Sequence, residues 1–245
     1  QTLKPMKTIY TGEVITSIAM NIDFIVAGLD NGRAQIFQLR TGDLLQDIDT
    51  QSHVNTVAIT KKNEVIIGLS SGTIAIYLIN PEDPARSQWS VSQYINTGSW
   101  VWSVYKYDNY LAAGLSNGYV NIYKKLETNN PIISKYNTGS PVNSVTMTTD
   151  GRIFAGLSDG HVQVLSPSGQ LLKDINTHCS VNSVSSDGTG FITGLENGHV
   201  HVYNLSTYNV TQNINTHSTV SSVLLDTNIA AGLNGSVGIW QGIFP

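Results

Sequence analysis

One ten-residue string recurs six times, without a gap, along this chain: IYTGEVITSI from Ile9, IDTQSHVNTV from Ile48, INTGSWVWSV from Ile95, YNTGSPVNSV from Tyr136, INTHCSVNSV from Ile175 and INTHSTVSSV from Ile214. A second string follows each copy, from IVAGLDNGRAQIF in the first to IAAGLNGSVGIW in the last. Its Gly-Leu pairs begin at Gly28, Gly68, Gly114, Gly156, Gly194 and Gly232, spaced 40, 46, 42, 38 and 38 residues apart. Self-similarity at such a period restricts a chain to repeat architectures, because one unit alone cannot bury its apolar face and needs a neighbour to cover it.

Each second string is an apolar run, a turn and an alternating run that ends in an aromatic residue or Leu, which is the signature of a β-hairpin. The turns Asn31-Gly32, Ser71-Gly72, Asn117-Gly118, Asp159-Gly160, Asn197-Gly198 and Asn234-Gly235 supply residues that tolerate positive φ. The glycines as a group are assigned to turns. Within the first string, Val-x-Ser/Thr-Val is expected to place apolar residues on both faces of a strand. A further polar-apolar stretch such as Leu171 to Ile175 precedes each copy, so the unit holds four short strands, and no stretch has a sustained helical period.

A four-stranded sheet repeated at this interval is what a propeller blade requires. The expected fold is all-β: one domain, 1–245, of six antiparallel blades. The last copy stops at Trp240, one strand short, while the first begins with a spare segment near Lys7 to Tyr10. That N-terminal segment is expected to join the last blade as its missing strand and close the ring.

The units resemble tryptophan-aspartate (WD) repeats. Thr177-His178 and Thr216-His217 sit where that family has Gly-His, and Asp159 or Asn matches its turn Asp. The closing Trp survives only as Trp240, with Phe37, Tyr77, Tyr123, Leu165 and Tyr203 elsewhere, none followed by Asp. Six blades also differ from the seven most common in that family. The resemblance implies a rigid platform that binds proteins or peptides and usually does no catalysis. It also implies a structural, loop-holding role for His178 and His217.

Charged residues are 12% of the chain against about 25% in a typical soluble domain, and the net charge is −4. No basic field exists for nucleic acid. No apolar run approaches the roughly 20 residues that span a bilayer, so no membrane insertion is expected. Cys179 is the sole cysteine, which leaves no intrachain disulfide and no thiolate cluster for a metal. The low charge and the start at Gln1 lean towards a secreted protein, although the start equally fits a domain cut from something longer.

The loop before each first strand and the hairpin turn are expected on one rim. Asn96, Asn137, Asn176 and Asn215 then stand beside Thr11, Thr50, Thr97, Thr138, Thr177 and Thr216, with Tyr10 and Asp49 in the remaining copies. Such groups offer donors and acceptors to a ligand; Asn and Thr equally satisfy their own loop backbone. Trp100 and Trp102 break the pattern and are candidates for a binding anchor or for packing between blades three and four, both pointing the same way along a strand. His199 and His201 share a strand face, with His161 equivalent to His199, but without a carboxylate or Cys at defined spacing no metal site is assigned. His53 is read as a surface residue. The connection Asn80 to Ser92, with Trp89, is the one obvious insertion. Asn204, Asn209 and Asn234 head glycosylation patterns at a frequency chance would give.

No nucleophile elbow, Gly-rich loop opening a helix or motif-placed carboxylate pair occurs, so neither catalysis nor a cofactor is expected. The first functional expectation is an interaction scaffold for a protein partner or for copies of itself. The second is a carbohydrate-binding propeller with repeated sites. The third is a structural subunit of an extracellular assembly or filament.

Overall fold

The computed structural model of the chain describes residues 7–79, 89–124, 132–226 and 228–241. Every regular element among them is a strand. Two compact units divide the chain, Gln1–Val101 and Trp102–Pro245.

The first unit holds two four-stranded sheets. Blade one is β1 (Ile15–Met20), β2 (Phe24–Leu29), β3 (Arg33–Gln38) and β4 (Leu44–Asp49); blade two is β5 (Val54–Ile59), β6 (Val65–Leu69), β7 (Thr73–Ile79) and β8 (Trp89–Asn96). The second unit begins inside β9 (Val101–Tyr107), which pairs in blade three with β10 (Tyr110–Leu115), β11 (Tyr119–Lys124) and β12 (Ile132–Asn137). Blade four is β13 (Val142–Met147), β14 (Ile153–Leu157), β15 (His161–Leu165) and β16 (Leu171–Asn176). Blade five is β17 (Val181–Ser186), β18 (Gly190–Leu195), β19 (His199–Asn204) and β20 (Val210–Asn215). Blade six has three strands, β21 (Val220–Leu225), β22 (Asn228–Leu233) and β23 (Ser236–Gln241). The fold is all-β, with six antiparallel blades of the propeller type.

The burial gradient across a blade follows the residue choice. Second strands such as VIIGL and IFAGL are buried at every position, as expected for strands covered on both faces, whereas the fourth strand LLKDIN is exposed at almost every one.

The first strands depart from the regular alternation read from the sequence. Pairing slips by one residue between Val54 and Thr56, Val142 and Ser144, Val181 and Ser183, and Val220 and Ser222. Such a bulge sets two residues against one and turns the strand. Residues three apart then share a face, so Val54 and Val57 both point at the preceding blade rather than to opposite sides.

What they meet there is a glycine inside a strand. A Cβ built on Gly28 would lie 2.5 Å from Val54 Cγ1 and 3.0 Å from Val57 Cγ1. Gly114 with Val142 and Val145, Gly156 with Val181 and Val184, and Gly194 with Val220 and Val223 repeat the contact. Gly68 receives Val101 in the same way. These glycines of the Gly-Leu pairs therefore serve close approach of the next blade rather than turns.

Two kinds of hydrogen bond recur at these joints. The bulge residue reaches forward: Thr16 Oγ1 donates to Val54 O at 2.6 Å, and Asn55, Asn143 and Asn182 donate through Nδ2 to Val101 O, Val181 O and Val220 O at 3.0–3.1 Å. The next residue accepts: Val57, Val145, Val184 and Val223 donate their N–H to Ser17, Ser103, Ser144 and Ser183 Oγ at 3.0–3.1 Å. Each bond contributes about 1 kcal/mol.

The described residues do not form the expected closing strand. Residues 7–14 form no strand, and the sheet of blade six has three strands among the described residues. The N-terminal segment is taken up locally in blade one instead. Thr11 Oγ1 donates to Glu13 O, Gly12 adopts φ +81°, Asp30 N–H donates to Val14 O, and Lys7 Nζ donates to Thr41 O.

Candidate functional site

The loops that carry the chain from one blade to the next are the most uniform surface feature. Each clamps onto the hairpin turn of the blade it leaves. Thr50 Oγ1 lies 2.7 Å from both Gly32 O and Ser52 O, and Thr50 N–H also donates to Gly32 O. Thr97 repeats this with Gly72 and Ser99, Thr138 with Gly118 and Ser140, Thr177 with Gly160 and Cys179, and Thr216 with Gly198 and Ser218. At Gly160 the turn needs glycine twice over: φ is +90°, and a Cβ would stand 2.9 Å from Cys179 N.

The residue before each Thr caps the same loop. Asn96, Asn137, Asn176 and Asn215 accept through Oδ1 from the N–H two residues on, at 2.7–2.9 Å, and Asp49 does so for Gln51. These are Asx turns. The residue that follows each Thr is left-handed: Gly98 and Gly139 without strain, Gln51, His178 and His217 at φ of 57°, 62° and 56°. His178 and His217 are thus engaged through their backbone, with the residues exposed. The Oδ1 atoms of these Asn residues are thus occupied within their own loops, and the Asn residues themselves are exposed.

Trp100 follows the Asn96–Ser99 loop of the first unit and is 55% exposed, where the other copies have Val14, His53, Pro141, Ser180 or Thr219. Trp102 stands half-buried at the position of the bulge amides Asn55, Asn143 and Asn182. Trp100 precedes the strand and Trp102 occupies the bulge position, so simple strand alternation does not relate the two. Tyr10, in the first copy, is also exposed.

Other candidates have local partners. His161 Nδ1 lies 2.7 Å from Asp174 Oδ1, and His199 Nδ1 lies 2.6 Å from Asn213 Oδ1. Burial, and secondarily His199, hold His201 below the ordinary imidazole range. No cluster of three metal-ligating side chains occurs among the described residues. His53 is exposed, with Nδ1 2.8 Å from Asp30 O. Of the insertion, residues 80–88 lie outside the described residues; Trp89 is buried edge-on against Phe24, and its Nε1 donates to Asn63 O. One polar network escaped the sequence reading. Arg152 donates to Asp150, to Leu205 O and to Tyr208 Oη, tying blade four to blade five. Asp150 is raised by partial burial, yet the bonds from Arg152 and Thr148 hold it down at about 2.

Comparisons with known proteins accord with this construction. A model of the family described as WD domain, G-beta repeat matches residues 169–204, the segment from the end of blade four through β19. No curated protein matches the chain in sequence. Among solved structures, a chain of the Mitotic Checkpoint Complex superposes with a TM-score of 0.83 at 15% identity, covering 98% of this chain and 81% of its own. The computationally designed Ika8 protein gives 0.75 at 19% identity, covering 93% and 71%. Sqt1 of Saccharomyces cerevisiae gives 0.70 at 12% identity, covering 94% and 82%. Repeat, blade and matched segment together support a WD-repeat β-propeller of six blades.

Proposed function

We propose that this propeller is a non-catalytic interaction scaffold that receives a protein partner on its interblade loops, with Trp100 as the anchor. The observation that carries the reading is the contrast at the loop of residues 96–100. The backbone there is fixed by Asn96 Oδ1 and by the two carbonyls that flank the Thr97 hydroxyl, while a large aromatic with a polar edge stands 55% exposed beside it. Rigid loops lower the ordering cost of binding, and exposed Trp is enriched at the energetic centres of interfaces. WD propellers generally bind proteins and generally lack catalysis, which supports the same reading. Asn137, Asn176 and Asn215 present one geometry three times in the second unit, which is what a lectin would use, but the position equivalent to Trp100 carries no aromatic in those copies.

The test places a photo-reactive phenylalanine at position 100, with a control at exposed Ser168, in native extract, and runs a glycan array on the same preparation. One protein adduct at position 100, absent at 168 and competed by wild-type chain but not by Trp100→Ala, supports the proposal. No specific adduct, together with saturable binding of a sugar at more than one site per chain, replaces it with the lectin.

A further inference from the structure

Three departures from the repeat fall on one connected strip of the first unit. Asp30 heads the hairpin turn of blade one, where the turns of blades two to five begin with Ser70, Ser116, Ser158 and Glu196. Asp49 stands where the later copies have Asn96, Asn137, Asn176 and Asn215, and caps its loop as they do. Trp100 is the third. All three residues are exposed. The loop fold does not call for either charge, because Asn makes the same cap in four copies and Ser heads the same turn in three.

Hydrogen bonds join the three into one surface. Thr50 ties the loop after Asp49 to Gly32 O of the Asp30 turn, and His53 Nδ1 of that loop lies 2.8 Å from Asp30 O. The same loop grips the turn of blade two: Ser71 N–H donates to Ser52 Oγ and Ser70 N–H to His53 O, each at 3.0 Å. Thr97 then holds Gly72 O of that turn at 2.8 Å, three residues before Trp100. At the other end, Asp30 N–H donates to Val14 O, next to the exposed Glu13. The charges on this strip have one sign. Of the five Lys and Arg residues described in the unit, none lies in these loops and turns. Arg40 sits in the β3–β4 turn and Lys61 and Lys62 in the β5–β6 turn, at the opposite strand ends, where Lys7 donates to Thr41 O. Arg33, at the start of β3, is engaged by Asp47 at 2.8 Å. Glu13, Asp30 and Asp49 enter no ion pair among the described residues.

We propose that the segment received at Trp100 is basic: an Arg- or Lys-bearing stretch of a protein, with one cationic head over the Trp100 ring and further bases against Asp30 and Asp49. The face of an indole attracts a cation more strongly than the face of Tyr or Phe does. Carboxylates of a single sign beside it steer a basic chain in and repel an acidic one. The inference rests on the scaffold reading and adds to it the charge of the partner.

The test is fluorescence anisotropy near neutral pH with two labelled peptides, one of alternating Arg and Ser and one of alternating Glu and Ser. The chains compared are the wild type, Trp100→Ala, the double variant Asp30→Ser/Asp49→Asn, and a control, Asp23→Asn/Asp43→Asn, which removes two exposed carboxylates at the opposite strand ends. Circular dichroism confirms the fold of each; the strip variants install residues that other copies of the repeat already carry. The Arg peptide is expected to bind the wild type and the control alike, roughly tenfold or more weakly to Trp100→Ala, and roughly fivefold more weakly to Asp30→Ser/Asp49→Asn. That last difference should shrink as salt is raised. The Glu peptide should not bind. An Arg peptide that does not bind, that binds Trp100→Ala or the strip variant as tightly as wild type, or that loses as much affinity to the control would overturn the proposal. Any of these results alongside a specific adduct at position 100 in extract strikes only the charge of the partner and leaves the scaffold standing; without that adduct both fall.

Discussion

Adding one methyl group at Gly156 isolates the joint from everything else in the fold. The new Cβ would lie 2.6 Å from Val181 Cγ1 and 3.0 Å from Val184 Cγ1, and Val181 is fully buried. A valine in a strand is stiff about χ1 and cannot swing aside as a long side chain would. Overpacking of this kind costs roughly 1–3 kcal/mol, and the lower chain entropy of Ala in a strand returns about 0.5–1. The expected net loss for Gly156→Ala is about 1 kcal/mol, a fall in Tm of roughly 2–4 °C for a chain of this size by thermal unfolding. Val181→Ala alone should lose about 2–3 kcal/mol through the cavity it leaves. The double variant should lose about 1 kcal/mol less than the sum, because the added methyl occupies part of that cavity. Gly232→Ala meets only Ser221 and Ser222 side chains of its own sheet and should leave Tm unchanged. If Gly232→Ala destabilises as much as Gly156→Ala, or if the double variant is additive, the close-approach explanation of the strand glycines is wrong.

Other perturbations separate the remaining contributions. Thr177→Val removes the hydroxyl beside Gly160 O and Cys179 O and should cost about 1–3 kcal/mol in thermal unfolding, since the site is buried. Gly139→Ala puts a side chain at φ +84° in an otherwise open position and should cost about 1 kcal/mol, while His178→Gly at the equivalent φ of 62° should be neutral or slightly stabilising. Asp150 is held at about 2 in the folded chain against an ordinary 3.8, so its stabilising share is complete above about pH 5 and is lost as pH falls towards 2. In acid titration followed by circular dichroism, Asp150→Asn should flatten that limb of the stability curve and leave the curve above pH 5 parallel to that of the wild type.

The repeat made the blades legible. Alternating apolar runs around Asn-Gly turns identify the second and third strands directly, and both fall where the strings place them. The first strand was harder to read, because period-two reasoning assumes an unbroken pleat. Val-x-x-Val at a spacing of three looks two-faced under that assumption, and the bulge at Asn55, Asn143 and Asn182 makes it one-faced. A signal was present in hindsight: a hydroxyl residue stands at the ninth place of all six strings, Ser17, Thr56, Ser103, Ser144, Ser183 and Ser222, a uniformity that a solvent-facing position has no reason to keep. Assigning the glycines to turns hid the other half of the same joint. The N-terminal segment looked like a spare strand by counting; its Thr11–Gly12 pair instead builds the entry loop of blade one. The Arg152 link between blades gave no signal, because Leu205 and Tyr208 lie more than 50 residues away in sequence.

Amide hydrogen exchange at single residues tests the central claim most directly, because the joint assigns a serine partner to a specific N–H in four of the blades. Val57, Val145, Val184 and Val223 donate to the serine of the blade before and should exchange slowly. Valine amides at these four positions that exchange as fast as the exposed amides of the fourth strands would contradict the account.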